Sequence, residues 1–344
     1  MLRYLFRFLL VSALVWPVAT WSLTLEPGTG TLIPADLGDH QLAARCVSND
    51  QESIEQVAAP SAAHQFVAIP ALLLKGYTSQ TCWLRFEVQR TPNAPQDWLL
   101  EVGMPYLDDM TLFVPTQEGE APGGFTSLRL GDHFPFADRP LPHRLFVFPL
   151  RLSHAQPVTA YLRIKTSSTM LVETLRIWQY AGLLASTQME NGFYWLVFGM
   201  VALGLLSNLL LWIWLREGIY RSYALYLAIL LASHLVNSGI ATPLLWQHAP
   251  VIADRAIGVL ACLMFLVGLL FFNEVLGLRR SFPRAGGRLI PVVLGFYGVC
   301  TIAALAGYYA QVAPFVQLVV LLVTIGITIA GPWLLWRGEK ALWL

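Results

Sequence analysis

Charge is what this sequence has least of: only 12% of its 344 residues are Asp, Glu, Lys or Arg, while 56% are hydrophobic. Soluble globular domains carry roughly a quarter charged residues, so a wholly water-soluble fold is excluded and part of the chain must lie in lipid. Cysteine is also scarce. The four present include no C-x-x-C pair and form no Cys/His cluster with metal-ligand spacing, which argues against a zinc site or a thioredoxin-type redox motif. A nucleophile elbow, a phosphate-cradling glycine loop, a His-Glu-x-x-His helix and a calcium-type carboxylate ladder are all missing. The expectation is a chain with no cofactor, no metal and no catalytic residue of its own. Asp108 and Asp109 are neighbours, so on a strand they would face opposite sides and serve as surface carboxylates, not as a catalytic pair.

The little charge there is divides the chain in two. Residues 23–192 carry 11 Lys and Arg against 17 Asp and Glu, and residues 193–344 carry 9 against 4. The acidic first half offers no basic stripe for phosphates, which excludes nucleic acid as a partner. Ahead of it, residues 1–22 have the form of a secretory signal. Arg3 and Arg7 precede the apolar run Phe8 to Trp16, and the small residues Thr20 and Ser22 follow. An uncleaved N-terminal anchor is the other reading. Export places Cys46 and Cys82 in an oxidising compartment where a disulfide can persist, whereas Cys262 and Cys300 lie within apolar runs.

Residues 23–180 then read as an exported β domain. Short runs such as Cys82–Val88, Trp98–Val102, Met110–Val114 and Thr159–Thr166 are punctuated by Pro, Gly and Asp, the pattern of a β-sandwich or jelly roll. In Thr159–Thr166, Ala160, Leu162 and Ile164 share one face and Tyr161, Arg163 and Lys165 the other. The stretch Gly131–Arg144 is the least core-like, with three Pro, two His, two Asp and two Arg. Arg139 and Arg144 suit bidentate contacts to an anion or to sugar hydroxyls, with His143 as a further donor. Alternatively the arginines pair with Asp132 and Asp138 and pin the loop. Trp83, Trp98 and Tyr106 suit stacking on a sugar face, or else a sandwich core.

A linker at 181–192 leads to five apolar stretches, 193–215, 222–240, 256–276, 289–309 and 315–336, each close to the ~20 residues that cross the hydrocarbon as a helix. If the first runs inward, Arg216, Arg221, Arg279, Arg280, Arg284, Arg288, Arg337 and Lys340 fall inside and only Arg255 outside, as the positive-inside rule requires. Polar residues within the spans are few: Asn208, His234, Asn237, Gln317, Thr324 and Thr328, with Glu274 near a cytoplasmic end. No mid-membrane cluster of ionisable groups is present, which disfavours a transporter.

Both halves resemble one architecture. Trp83-Leu-Arg-Phe86, Pro105-Tyr-Leu-Asp108, the Gly131-Asp132 turn, Arg139 to Pro149 and Tyr161-Leu-Arg163, followed by Ser207 to Arg216, Tyr220 to Tyr226, Leu245-Trp246 and Leu276 to Arg280, are similar to bacterial seven-transmembrane receptors with diverse intracellular signalling modules, including their type 2 extracellular sensing domain. The resemblance implies a jelly-roll sensor for carbohydrate or another small periplasmic ligand, coupled to a helical bundle that controls a diguanylate cyclase or histidine kinase. The expected fold class is therefore β plus membrane α, in a multi-pass inner-membrane protein with its N-terminal domain in the periplasm, in contact with membrane lipid and acting in a homodimer. Ligand-binding candidates are Arg139, His143, Arg144, Asp132, Trp83, Arg85 and Tyr106, and Cys46 with Cys82 is the candidate disulfide. Five spans stand where the family has seven, Arg337–Leu344 looks like the approach to a sixth, and no cyclase or kinase signature is present. The chain thus reads as truncated after its fifth helix, the input half of a receptor, or alternatively as a membrane-anchored binding or assembly module.

Overall fold

The computed structural model describes residues 22–37, 42–48, 51–69, 73–78, 80–116, 124–167 and 169–336. The secretory-signal expectation for 1–22 and the sixth-helix expectation for 337–344 fall outside the described residues, apart from Ser22.

Alternating side chains build the N-terminal half. Its strands are β1 (Leu23–Leu25), β2 (Ala35–Asp36), β3 (Ala43–Val47), β4 (Val67–Ala68), β5 (Leu73–Tyr77), β6 (Thr81–Arg90), β7 (Asp97–Val102), β8 (Asp109–Pro115), β9 (Phe125–Leu130), β10 (Phe146–Arg151), β11 (Val158–Lys165), β12 (Thr169–Val172) and β13 (Leu175–Trp178). One sheet runs β4-β3-β6-β11-β8-β9 with β1 parallel to β6, a second runs β10-β7-β13-β2, and β12 pairs β5. Cys82, Leu84, Phe86 and Val88 of β6 share a core with Ala160, Leu162 and Ile164 of β11 and with Trp98, Leu100, Phe146, Phe148 and Ile177 of the second sheet. The residues between them turn the other way. Trp83 and Tyr161 pack with Ile54 and Val57 of the short helix α1 (Ile54–Ala58), so the first sheet is covered on both faces. On the second sheet, the outward Leu99, Val147 and Trp178 form a separate apolar patch.

A disulfide joins Cys46 to Cys82, which stand directly opposite each other on β3 and β6. It ties an outer strand to the central one.

Among the described residues of the second half, five helices are long and apolar enough to cross a membrane: α2 (Tyr180–Leu215), α3 (Gly218–Asn237), α5 (Pro250–Leu276), α7 (Pro283–Leu305) and α8 (Tyr309–Trp336). The short α4 (Ala241–Leu245) and α6 (Leu278–Ser281) lie between them. Packing runs α2 to α3 to α5 to α7, with α8 against both α5 and α7. Large apolar side chains such as Leu203, Leu210, Val299, Ile302 and Ile329 are exposed, as a lipid-facing surface requires.

The helices depart from the expected spans at their ends, for physical reasons. Hydropathy marks only the apolar part of a helix, so α2 begins at Tyr180 and the expected linker 181–192 is its first turns. At 1.5 Å per residue, 36 residues reach about 54 Å, against a hydrocarbon core of about 30 Å. The surplus stands outside as a stalk. At the other boundaries Gly239 and Gly307 adopt φ +77° and +88°, conformations that end α3 and α7 earlier than the apolar runs do.

The disulfide generates the first prediction. Closing a loop across 36 residues restricts the unfolded chain by about 4 kcal/mol. Replacing Cys46 and Cys82 together by Ala should destabilise the β domain by up to that amount, measured by urea unfolding followed through tryptophan fluorescence, with little change in the helical signal.

Candidate functional site at the seam between the two halves

The Gly131–Arg144 loop faces the membrane helices. Its local fold is set by the short helical turn Phe136–Asp138, started by Pro135, and by the Asp132 and His133 amides, which donate to Leu107 O and Asp108 O. Gly131 has to be glycine here, because a Cβ would sit 2.0 Å from Asp108 O. Beyond the turn, the Ala137 amide donates to Gln247 O just after α4.

Three side chains of this loop are buried or half-buried at the seam. Arg144 donates to the Glu190 carboxylate on the α2 stalk and to Ser238 O at the end of α3, 3.2 Å away, and lies 5.1 Å from the Tyr194 ring centroid. His143 Nε2 meets Thr187 Oγ1 at 2.9 Å, and the Leu145 amide donates to His143 Nδ1 at 3.1 Å. That pattern belongs to a neutral imidazole with its proton on Nε2. Burial, reinforced by the Arg144 charge, pushes the His143 pKa down to about 4. Arg139 donates to His143 O at 3.0 Å and lies over the Phe136 and Phe146 rings. Burial lowers its pKa to about 10, opposed by Asp132, so it stays charged at neutral pH.

Around these contacts the domain and helices interlock. Leu183 of α2 completes the Leu99, Val147 and Trp178 patch. Trp178 Nε1 donates to the buried Glu101 at 2.9 Å, whose pKa burial raises. Gln179 Nε2 donates to both Pro27 O and Thr29 O, and Gly182 lies so close to Gly30 O that a Cβ would be 2.1 Å from it.

Beside the loop lies an acidic group that the sequence did not disclose. Asp108, expected on the surface, is 4% exposed and accepts from Thr166 Oγ1 at 2.8 Å and from the Ser167 amide and hydroxyl at 2.6 and 2.7 Å. Those donors offset its burial, which is why an ionisable side chain is tolerated there. Asp109 instead pairs with Arg129 at 2.7 Å and lies near Arg163. Asp132 is buried, and among the described residues its Oδ1 has no hydrogen-bond partner. Burial, then the like charge of Asp108, raises its pKa well above the ordinary carboxylate value. Asp108, Asp132 and His133 bring one potential ligand atom each within 4.8 Å of one another, a juxtaposition of sequence-distant residues that no spacing motif reveals.

The other candidates are dispersed. Trp83 is in the small core under α1, Trp98 is in the main core, and Arg85 lies beside Tyr161. Tyr106 lines a cleft of about 270 Å³ between the β domain and the outer ends of the helices, with Tyr77, Asn237, Asp254, Arg255 and Tyr309. Asp254 and Arg255 escape a search for polar residues within spans because they precede the apolar run of α5. Their position on its first turns, as an adjacent acid and base at a membrane surface, was the available signal. His234, noted as an intramembrane polar group, is exposed on α3.

The folded state prefers neutral His143, so the unfolded chain takes up the proton first and stability falls as pH drops from about 6.5 towards 4. Asp132 and Glu101 act oppositely, since raised carboxyl pKa values favour the fold on acidification. Between pH 7 and pH 5, His143→Gln should therefore lose up to about 2 kcal/mol less stability than the unmodified protein, measured by unfolding the full chain in detergent at both pH values. Separately, a Cβ at Gly239 would lie 2.8 Å from both Arg144 O and Pro105 Cβ at a positive φ. Gly239→Ala should cost about 1–3 kcal/mol, read as a lower Tm.

Family comparison agrees with this architecture. The model for the 7TMR-DISM extracellular 2 domain matches residues 48–179, and that for the 7TM diverse intracellular signalling domain matches residues 190–344. No curated protein matches the chain. An outer sensing domain followed by a membrane signalling domain is the order in which the structure places the β domain and the five apolar helices, and the chain belongs to the 7TMR-DISM receptors, multi-pass membrane proteins with an N-terminal domain outside.

Proposed function

We propose that this chain is the input half of a bacterial inner-membrane receptor. Residues 1–22 direct its export, the β domain meets a small ligand in the periplasm, carbohydrate or another solute, and the helices carry the resulting shift inward, in a homodimer. Catalysis then belongs to an output of cyclase or kinase type outside residues 1–344. The observation that carries this reading is the Arg144 joint: one guanidinium of the sensing domain holds the α2 stalk through Glu190 and the tip of α3 through Ser238. A domain merely anchored by its helices has no need of side-chain contacts to two of them. Ligand binding biases such a joint only as far as its affinity differs between two arrangements, and a joint spanning two helices provides arrangements that differ in the membrane.

The test reads the opposite side of the membrane. Spin labels at Glu217→Cys, following α2, and Arg279→Cys, following α5, report the separation of the cytoplasmic ends in nanodiscs. Breaking the joint with Arg144→Ala or Glu190→Gln should shift or broaden the distance distribution by about 2 Å, the scale of interhelical shifts in signalling proteins. Superimposable distributions would overturn the transducer reading in favour of an anchored binding module.

A further inference from the structure

The cleft at the seam has a chemistry that the joint does not use. On the domain side it presents Tyr77 and Tyr106, and on the helix side Asn237, Asp254, Arg255 and Tyr309. Tyr77 of the β domain and Tyr309 of α8 both line it and interact with each other, so the two halves meet at its wall. Tyr309 is seated against Gly258, where a Cβ would lie 2.5 Å from its ring. Among the described residues, no hydrogen bond to Asp254 is seen, and His133 and Arg255 attract it electrostatically. Arg255 uses one N–H on Leu305 O at 3.0 Å, and its guanidinium has further donors. Behind Asp254, within electrostatic reach, stands Asp108, with His133 beside them, so the acidic groups gather at this end of the cleft. The other end has the arginine.

We propose that this cleft binds a small zwitterion, with its ammonium group on Asp254 and its carboxylate or phosphate on Arg255. The proposal rests on the receptor reading above and supplies its ligand class. A carboxylate beside tyrosine rings is the usual surrounding of a bound ammonium, which gains from both the charge and the ring faces. The adjacent arginine supplies the forked donors that a carboxylate or phosphate accepts. At about 270 Å³ the space lies just below the range for drug-sized ligands and suits a molecule of amino-acid size. Asp254 stands outside the tight trio of Asp108, Asp132 and His133, so a metal ion held by that trio would leave Asp254 unanswered, whereas an ammonium group answers it directly. Two sources offer this chemistry: a free amino acid in the outer compartment, or the headgroup of phosphatidylethanolamine, because Asp254 and Arg255 lie on the first turns of a membrane helix.

The experiment uses the full chain, stripped of lipid in detergent, and measures calorimetric binding of the common L-amino acids, their N-acetyl derivatives and calcium alone. A second arm compares nanodiscs of phosphatidylethanolamine with nanodiscs of phosphatidylcholine. Binding of a free amino acid, at least about tenfold weaker once its amine is acetylated and about tenfold weaker in Asp254→Asn or Arg255→Gln, is expected for a soluble ligand. Selective retention of phosphatidylethanolamine, lost in Asp254→Asn, identifies the lipid source. The acetylation comparison needs no variant, so it decides the matter even if Asp254→Asn fails to fold. Binding of calcium alone, or the absence of any amine-dependent binding in both arms, overturns the proposal. The label distances compare the Arg144 and Glu190 variants with the unmodified chain without added ligand, so the two readings fail separately.

Discussion

The Arg144 guanidinium is the contact on which the arrangement of the two halves depends, because it is half-buried where the β domain ends and two membrane helices begin. A desolvated guanidinium without partners costs several kcal/mol, so the fold has to bring acceptors to it. Glu190 and Ser238 O do so from α2 and α3. The pair adds little net stability over an apolar contact of the same shape. What it adds is specificity: sliding the stalk by one helical turn would leave Arg144 and Glu190 both unpaired, whereas an apolar patch such as Leu99, Val147, Trp178 and Leu183 tolerates small slips.

That joint exists because the first membrane helix is longer than the membrane. A helix ending at the lipid surface would put a flexible segment between Trp178 and the bilayer. Here α2 continues without a break through Thr187 and Glu190, and Gln179 and Gly182 lock its first turn to the Pro27–Thr31 turn. The stalk is therefore stiff, and its position is read by the loop through His143 and Arg144. Under the proposed function, this stiffness is what would pass a change in the tilt of the β domain into α2 and α3, which pack on each other and through α3 on α5.

Much of this was legible in the sequence, and the boundary of legibility is physical. Strand faces follow from a period of two, so Ala160, Leu162 and Ile164 are readable as one face, as is the opposite orientation of Tyr161. Lipid-crossing helices follow from apolar length and from where arginines gather. The unusual composition of Gly131–Arg144 was readable as well, but not the direction it faces. A loop rich in Arg, His and Pro looks the same whether it greets a solute or docks on helices, since only tertiary structure supplies Glu190, Thr187 and Ser238. Segment 181–192 was equally ambiguous: Ser186, Thr187, Gln188, Glu190 and Asn191 are polar enough for a linker, yet compatible with a helix standing in water. Asp108 was the plainest departure, because its burial is permitted by donors at Thr166 and Ser167, nearly sixty residues away.

The same distribution of polar groups explains why a cleft at this seam suits control. Its walls come from the outer ends of α3, α5, α7 and α8 as well as from the β domain, while the Arg144 joint engages α2 and α3. Together the two features touch all five membrane helices within the outermost layer of the bundle. A cation bound as proposed would sit beside Asp254 and within electrostatic reach of Asp108, next to the turn that begins the docking loop. Side chains at such a junction are close-packed, and packed interfaces change by discrete steps rather than by gradual deformation. Asp254 on α5 and Asp132 at the head of the loop therefore stand on the two sides of one interface, and under the proposed function a displacement of either is the change that the loop's contacts would relay to the stalk.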